Sequence, residues 1–487
     1  MIELLSPAGN VEKLYYAWAY GADAAYIGLK RFSLRVKADN FYDDEYKKVI
    51  ELKKQFPGKR LHCALNISFH NRDIDNFLAN LDYFKQYPID AFIVQDIGMV
   101  PILQKHFPDA ELHVSTQASC VNREAVKMYK SLGFKRVVLG REISIKEIRE
   151  IKDAVPDMEL EAFCHGAMCI AYAGRCLMSA YMSGRSAQLG ACSHSCRWDY
   201  DVLVDPTKAK EIAKSGALVL QEKKRPGEYF PIFEGDDFTA VLSSKDLRMI
   251  EHLKDMVDAG VDSLKIEGRM KSVYYVALVT RAYRKALDAV QGKISQAEAD
   301  PFIAELENVS HRESCTGFYY NASEADKTVS GATDSRYILA AELTHKLSDE
   351  EVAQVIQNGK DSTKKINDEL EAMHPKAREA RLKDFEIHPD RNPPAVEPKD
   401  GWSMYNLVAL NMINQGDPIE FISPDVVATK AKAGDWMLVD PETGCVRTWV
   451  CDSHPCVLYT KEPLQDGALI RIEDPEYQSG IIRDSGR

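Results

Sequence analysis

The sequence has no apolar run approaching the ~18 residues that a membrane-crossing helix needs, so no span is expected. Its start, Met1-Ile-Glu-Leu-Leu-Ser-Pro, lacks the basic segment and long apolar stretch of a secretory signal. Both readings point to a cytoplasmic protein, in which cysteines stay reduced. There is no His-Glu-x-x-His helix, no Gly-x-Ser-x-Gly elbow and no Gly-x-x-x-x-Gly-Lys-Ser/Thr phosphate loop. These absences argue against a zincin, an α/β-hydrolase and a nucleotide-driven motor. Positive charge is also short. Lys and Arg number 62 against 74 Asp and Glu, a formal net charge of −12. Such a chain does not hold nucleic acid through its overall field, so any contact must use a local patch. Lys30, Arg31, Arg35 and Lys37 form one candidate, and Lys265, Arg269, Lys271, Arg281, Arg284 and Lys285 another.

What is present is an alternation of short apolar runs and amphipathic stretches. Ile2–Leu5, Ala24–Ile27, Leu61–Leu65, Ala91–Val94, Leu112–Ser115, Arg136–Leu139, Leu160–Phe163 and Ser263–Ile266 read as strands. Helical patterns lie between them, clearest at Asp73–Gln86, Arg123–Leu132, Ile145–Ala154 and Lys245–Ala259. Eight such units in an α/β pattern predict a (β/α)8 TIM-like barrel, which takes ~250 residues. A doubly wound open sheet is the alternative, weakened because no Gly-x-Gly-x-x-Gly follows the first strand. The boundaries expected are a barrel over 1–294, a connecting region over 295–335 and a small all-β domain over 336–487. That last domain carries a charged helical insertion at about 346–398.

Five of the eleven cysteines crowd into one stretch after the seventh strand, spaced Cys164-x4-Cys169-x6-Cys176-x15-Cys192-x3-Cys196. In a reduced compartment, clustered thiols are metal-binding or catalytic rather than disulfide-forming. Four thiolates spread over a loop suit a [4Fe–4S] cluster, with zinc the weaker alternative, and spacing alone does not separate them. Cys164, at a strand end, can instead point into the barrel. Polar residues follow the other strands: Asn66, Gln95 with Asp96, Thr116 with Gln117, Arg141 with Glu142, and Glu267, Arg269 and Lys271. In a closed barrel these converge on one mouth with His165, where barrel active sites assemble. His165, Gln117, Asp96 and Glu267 are the candidate catalytic groups. Asn66, Arg141, Arg269 and Lys271 are the candidate substrate-binding groups, the arginines suited to clamping a carboxylate.

The stretch Glu161-Ala-Phe-Cys-His-Gly-Ala-Met-Cys169 through Gly174-Arg-Cys176-Leu-Met-Ser179 resembles the signature of the collagenase-like peptidase family U-thirty-two. Glu3–Gly9, Gly21–Gly28, Ser243–Leu247, Lys265–Arg269 and Thr316–Phe318 resemble other segments of that family. Its members include RNA hydroxylases that work without molecular oxygen, and the length here is nearest to the prephenate-dependent tRNA uridine hydroxylase subgroup. The resemblance implies a [4Fe–4S] cluster on Cys169, Cys176, Cys192 and Cys196. It further implies prephenate or a similar small carboxylate as co-substrate, tRNA as partner, and 5-hydroxyuridine at the wobble position as product. Homo- or hetero-oligomers are compatible with it. Two other readings stay open: a metal-dependent peptidase, as the family name says, and a non-enzymatic module in which a metal staples a loop for partner binding.

Overall fold

The structure is a computed structural model. It describes residues 2–29, 32, 41, 44–169, 244–320, 335–432, 434–452 and 454–474. Between 170 and 243 it describes only 171–172, 176, 178–183, 187, 192–193, 219–220, 230–231, 233–234 and 239–240. The chain forms two compact units, one over Met1–Ser335 and one over Arg336–Tyr477.

The first unit is a closed barrel. Strands β1 (Glu3–Pro7), β2 (Ala24–Ile27), β3 (Arg60–Leu65), β4 (Ala91–Val94), β5 (Glu111–Val114), β6 (Arg136–Val138) and β7 (Glu159–Ala167) pair in sequence order, all parallel. After the short strand β8 (Asp246–Arg248), strand β9 (Ser263–Ile266) pairs in parallel with both β7 and β1 and closes the ring. The connecting helices are α1 (Val11–Ala19), α2 (Glu45–Gln55), α3 (Asn71–Ala79), α4 (Leu81–Gln86), α5 (Val100–His106), α6 (Arg123–Ser131) and α7 (Ile145–Ala154). Three further helices follow: α8 (Met178–Ser183), α9 (Leu253–Asp258) and the long α10 (Val273–Val290). Local chemistry sets the starts. The Asn10 side chain accepts from the Lys13 amide at 2.9 Å to cap α1, and Ser144 with Glu147 forms a capping box on α7.

Two segments depart from the sequence reading. The helix expected over Asp73–Gln86 is two helices that meet at Asn80, whose amide bonds the Phe77 carbonyl. The helix expected from Lys245 begins only at Leu253. Its first residues are β8, antiparallel to the end of β7, with Leu247 opposite Gly166 and Arg248 opposite His165. β7 outruns the barrel, and β8 satisfies backbone groups that would otherwise be left on an open edge. Strand β10 (Ser314–Cys315) then adds in parallel to β8.

The barrel interior is ionic where most barrels carry branched apolar layers. Arg136 contacts Glu3, Glu159 and Glu161. Lys265 bonds Glu161 at 2.7 Å, and Ser263 donates to Glu3 at 2.9 Å. Charges this deep persist only when paired. Burial raises the Glu161 carboxyl, but Lys265 and Arg136 outweigh it and hold the group at about 2. Burial also drives His62 and His113 below the usual histidine value, so both rings are neutral.

In the second unit an eight-stranded antiparallel sheet wraps an apolar core around Leu407, Trp436, Leu458 and Ile470. Helices α12 (Asp349–Ala372) and α13 (Pro375–Ile387), separated from α10 by α11 (Gln296–Ala304), lie between two strands that pair directly, Tyr337–Lys346 and Ser403–Ala409. They are therefore an insertion within a hairpin. Cys445 and Cys456 are buried in this unit, and Cys451 Sγ lies 3.3 Å from His454 Nδ1. Among the described residues, no helix is long and apolar enough to cross a membrane.

Candidate active site at the barrel mouth

The segments singled out in the sequence meet where β1, β2, β7 and β9 end. Arg269, just past β9, is buried, and its guanidinium covers Gly28 at the end of β2. A Cβ on Gly28 would stand 2.5 Å from Arg269 Nη1, and one on Gly9 would strike the Arg269 carbonyl. Gly166, at φ +109°, lies against Glu267, where a Cβ would meet the carbonyl oxygen at 2.5 Å. Glycine at these points allows the Lys265–Arg269 turn to lie flat against three strand ends.

Arg141, after β6, is the centre of the described mouth. Its guanidinium lies 3.8 Å from the centre of the Phe163 ring, and Nη1 donates to the Ala167 carbonyl at 2.6 Å. Nη2 reaches Glu267 Oε2 at 3.4 Å. Tyr275, on α10, donates its hydroxyl to the Glu267 carbonyl at 3.0 Å, and Lys271 Nζ sits 5.3 Å from the Tyr275 ring centre. Tyr26 donates to the Ile266 carbonyl at 3.1 Å. The mouth between β6 and β9 is thus lined by cations that rest on aromatic faces, an arrangement worth more as water is excluded.

His165 belongs to the same wall. Tyr283 donates its hydroxyl to the Cys164 carbonyl at 2.8 Å, so its oxygen accepts from the His165 Nδ1–H at 3.2 Å and from the Met249 amide at 3.3 Å. That fixes the tautomer, with the lone pair on Nε2. Burial lowers the ring's pKa to about 3, with Asp246 opposing. Asp246 is itself held by Arg312, whose Nε and Nη2 donate at 3.0 and 2.6 Å.

The other candidates sit at the ends of β3, β4 and β5. Asn66 is half-buried after β3. Asp96 is taken up by its own loop, accepting from the Gly98 and Phe69 amides at 2.9 and 3.1 Å. Gln117 lies half-buried in a single 3-10 turn capped by Ser115. Arg141, Glu267, Lys271 and His165 are therefore brought into one constellation by direct contacts or through Tyr275. The Asp96 carboxylate is committed to loop structure. Phe163, Tyr275, Tyr283 and the Asp246–Arg312 pair were not singled out in the sequence. The pair Tyr275 and Tyr283, eight residues apart on one helix, was the signal available.

The cysteines leave directly from this wall. Cys164 is inside β7 and fully buried, with Sγ donating to the Lys265 carbonyl at 3.4 Å. The pairing with β9 shifts register at this point, with Phe163 opposite Lys265 and His165 opposite Ile266, so Cys164 is the extra residue between them. Cys169 is exposed, two residues beyond β7, while Cys176 and Cys192 are half-buried. Ser193 joins Cys192 to the start of α8. Its amide and hydroxyl bond Ser179 Oγ at 2.9 and 3.0 Å, and its hydroxyl accepts from Ser183 at 3.0 Å. Cys192 is thereby brought to the helix that opens just after Cys176. Cys196 lies outside the described residues.

One of the two basic patches dissolves. Lys265 and Arg281 are buried, the first on Glu161 and the second against Phe302, and Arg284 pairs with Asp23 and Asp288. These side chains were cations of the interior and of helix packing, which period and composition cannot distinguish from a basic surface. Lys30, Arg31, Arg35 and Lys37 lie outside the described residues.

Comparison with known proteins places this architecture. The family model described as peptidase family U32 matches residues 9–329. The tRNA hydroxylation protein P of Escherichia coli is 39% identical over 338 residues, 65% of this chain and 74% of that protein. The 23S rRNA 5-hydroxycytidine C2501 synthase of the same organism is 35% identical, over 69% of this chain and 47% of that protein. A collagenase of Porphyromonas gingivalis is 29% identical, over 65% and 73% respectively. The matched span holds every barrel strand after β1, the glycines under Arg269 and the cysteine segment, and the chain belongs to peptidase family U32.

Proposed function

We propose that this chain is an RNA-modifying enzyme that hydroxylates C5 of the wobble uridine of tRNA without molecular oxygen, using a prephenate-like carboxylate as donor. The observation that carries the reading is the common location of the two halves of the chemistry. The cysteine segment starts at the tip of β7, within two residues of the Ala167 carbonyl held by Arg141. Kinship with proteins named for tRNA hydroxylation and rRNA hydroxycytidine synthesis supports the substrate class.

The thiols fit a cluster. Cys169, Cys176 and Cys192 are at least partly accessible, whereas Cys63, Cys120 and Cys164 are buried, with burial raising their thiols. Cys169, Cys176, Cys192 and Cys196 would hold a [4Fe–4S] group, which supplies redox chemistry at the mouth when bound. Zinc on the same thiolates is the lesser alternative. Arg141 has the donors and the exposure to take the carboxylate of a small co-substrate, with Lys271 adding charge. Arg269 is buried under Gly28, so it shapes the floor of the site. Phe163 and Tyr275 are buried and support Arg141 and Lys271, the cations that would stand beside a base extruded from its stack. A ring with a pKa near 3 is mismatched to proton abstraction at neutral pH, so His165 acts as a neutral acceptor through Nε2.

The collagenase relative favours a second reading, a metal-dependent peptidase. It requires a nucleophile activated by a base, or an open metal with a general base. The contacts described at the mouth include no nucleophile hydrogen-bonded to a base. Deleting the gene and measuring wobble nucleosides by mass spectrometry tests the first reading. Loss of 5-hydroxyuridine-derived nucleosides is expected, and an unchanged profile in a strain with no paralogue refutes it. Iron and acid-labile sulfide in anaerobically purified protein are expected, and one zinc per chain without sulfide overturns the cluster assignment.

A further inference from the structure

The barrel holds a second group of metal-ligating side chains, well away from the cysteines. His62, His113 and Glu161 are each the third residue of their strands, β3, β5 and β7. Alternate strands supply one layer of a barrel interior, so the three side chains share a level in its N-terminal half. One nitrogen of each ring and one carboxylate oxygen all lie within 4.8 Å of one another. All three residues are fully buried. Neither ring nitrogen of His62 has a hydrogen-bond partner, and neither does Nδ1 of His113. Buried polar atoms are nearly always satisfied, so three orphans side by side ask for a partner.

His113 is already set up as a ligand. Its Nε2 lies 3.1 Å from Glu111 Oε2, so Nε2 carries the proton and Nδ1 keeps its lone pair. A carboxylate behind the imidazole is the arrangement that orients histidine in metal centres. We propose that His62, His113 and Glu161 bind one divalent transition-metal ion of the zinc class. Two imidazoles and a carboxylate are a competent donor set for such an ion. Lys265 takes Glu161 Oε1 and Arg136 takes Oε2, yet a carboxylate has about four acceptor positions, leaving room for a metal. The surrounding network counts four carboxylates, Glu3, Glu111, Glu159 and Glu161, against four cations, Arg60, Lys135, Arg136 and Lys265, with Lys135 held at the outer edge on Glu159. The charges of the network are balanced, so the case for an ion rests on the three unpartnered ring nitrogens and the spare acceptor positions of Glu161. Arg60 and Glu111 are 31% and 34% exposed, so the approach is from the N-terminal end, opposite the mouth. Conserving stability rather than chemistry is the usual task of that end of a barrel, and the ion would tie three strands together.

The test uses full-length protein stripped by chelator. A variant with Cys169, Cys176, Cys192 and Cys196 all changed to Ala removes the competing thiols. Equilibrium dialysis against Zn2+ should show about one equivalent bound in that background. Adding His62→Gln should abolish it, and adding Glu111→Gln should weaken it by roughly 10–100-fold, the usual effect of losing a carboxylate behind a liganding histidine. Circular dichroism confirms that each variant is folded. Because these changes can disturb folding, crystals of the unaltered chain soaked in Co2+ give a second measurement. An anomalous peak bounded by His62, His113 and Glu161 is expected. A water or an empty space there, or Zn2+ binding indifferent to His62→Gln in folded protein, overturns the proposal.

Discussion

Holding His165 neutral should make the barrel's stability depend on pH in a way that one substitution removes. The ring's value falls from 6.5 to about 3 because burial disfavours the charged form. The unfolded chain therefore binds a proton below about pH 6.5 that the folded barrel refuses. Stability from this group is complete above that value and is lost as pH falls toward 3. Between about pH 7.5 and pH 5 the loss is ~2 kcal/mol, at 1.36 kcal/mol per unit. His62 and His113 act in the same direction, so the total slope does not identify His165. His165→Asn does, because its amide nitrogen can take the place of Nδ1 on Tyr283 without being titratable. Pulse proteolysis in urea, read by mass spectrometry on barrel peptides, separates the barrel from the C-terminal unit. The wild type should lose ~2 kcal/mol more than His165→Asn over that range. Equal slopes for the two proteins would refute the neutral, tautomer-fixed ring.

Three other substitutions probe the same architecture. Glu161→Leu leaves Lys265 and Arg136 without their buried partner, and should cost about 3–5 kcal/mol in barrel unfolding measured by the same proteolysis. Gly28→Ala puts a methyl group 2.5 Å from Arg269 Nη1, so it should cost ~1–3 kcal/mol in urea unfolding. It should also lower the hydroxylated-nucleoside yield in complemented cells. Arg141→Ala should cut kcat/KM about 10–100-fold if the guanidinium holds a carboxylate, with most of the effect in KM for the donor, measured on purified enzyme with unmodified tRNA.

The sequence was informative where period and glycine spacing carry the fold. All eight barrel strands were read within a few residues, because a closed parallel sheet demands short apolar runs at regular intervals. Lys245–Ala259 was misread because Leu247, Ile250, Leu253 and Met256 recur at helical spacing. The overhang of β7 outcompeted that propensity, and nothing local records the length of a strand's neighbour. The ionic interior was hidden for a different reason. Arg60 and His62 on β3, Glu111 and His113 on β5, and Glu159 and Glu161 on β7 give an alternation of polar and apolar residues. That alternation is the same whether the polar face meets water or the axis of a barrel. The four clustered thiols were conspicuous by spacing, but the serine contacts that bring Cys192 to α8 needed coordinates.

The placement of positive charge decides how RNA must be recognised. Lys265 and Arg136 are bound to carboxylates inside the barrel, Arg281 is packed on Phe302, and Arg269 lies under a strand end. Among the described mouth residues, Arg141, paired with Glu267, and Lys271, over the Tyr275 ring, are half-buried cations, in a chain whose net charge is −12. Two cations neutralise too few phosphates to grip a duplex, since each contact contributes about one unit to the slope of affinity against salt. They are enough to hold one small dianion or one phosphate beside an aromatic wall. Under the proposed function, the mouth would take a single extruded base and a small carboxylate, and the grip on the rest of an RNA would fall to residues beyond this constellation. A peptidase cleft would need to run across the mouth and engage several residues of an extended chain. Among the described residues, Arg141, Phe163, Glu267 and Tyr275 instead make one compact cluster of direct contacts at the barrel end, the arrangement that the proposed base chemistry asks for.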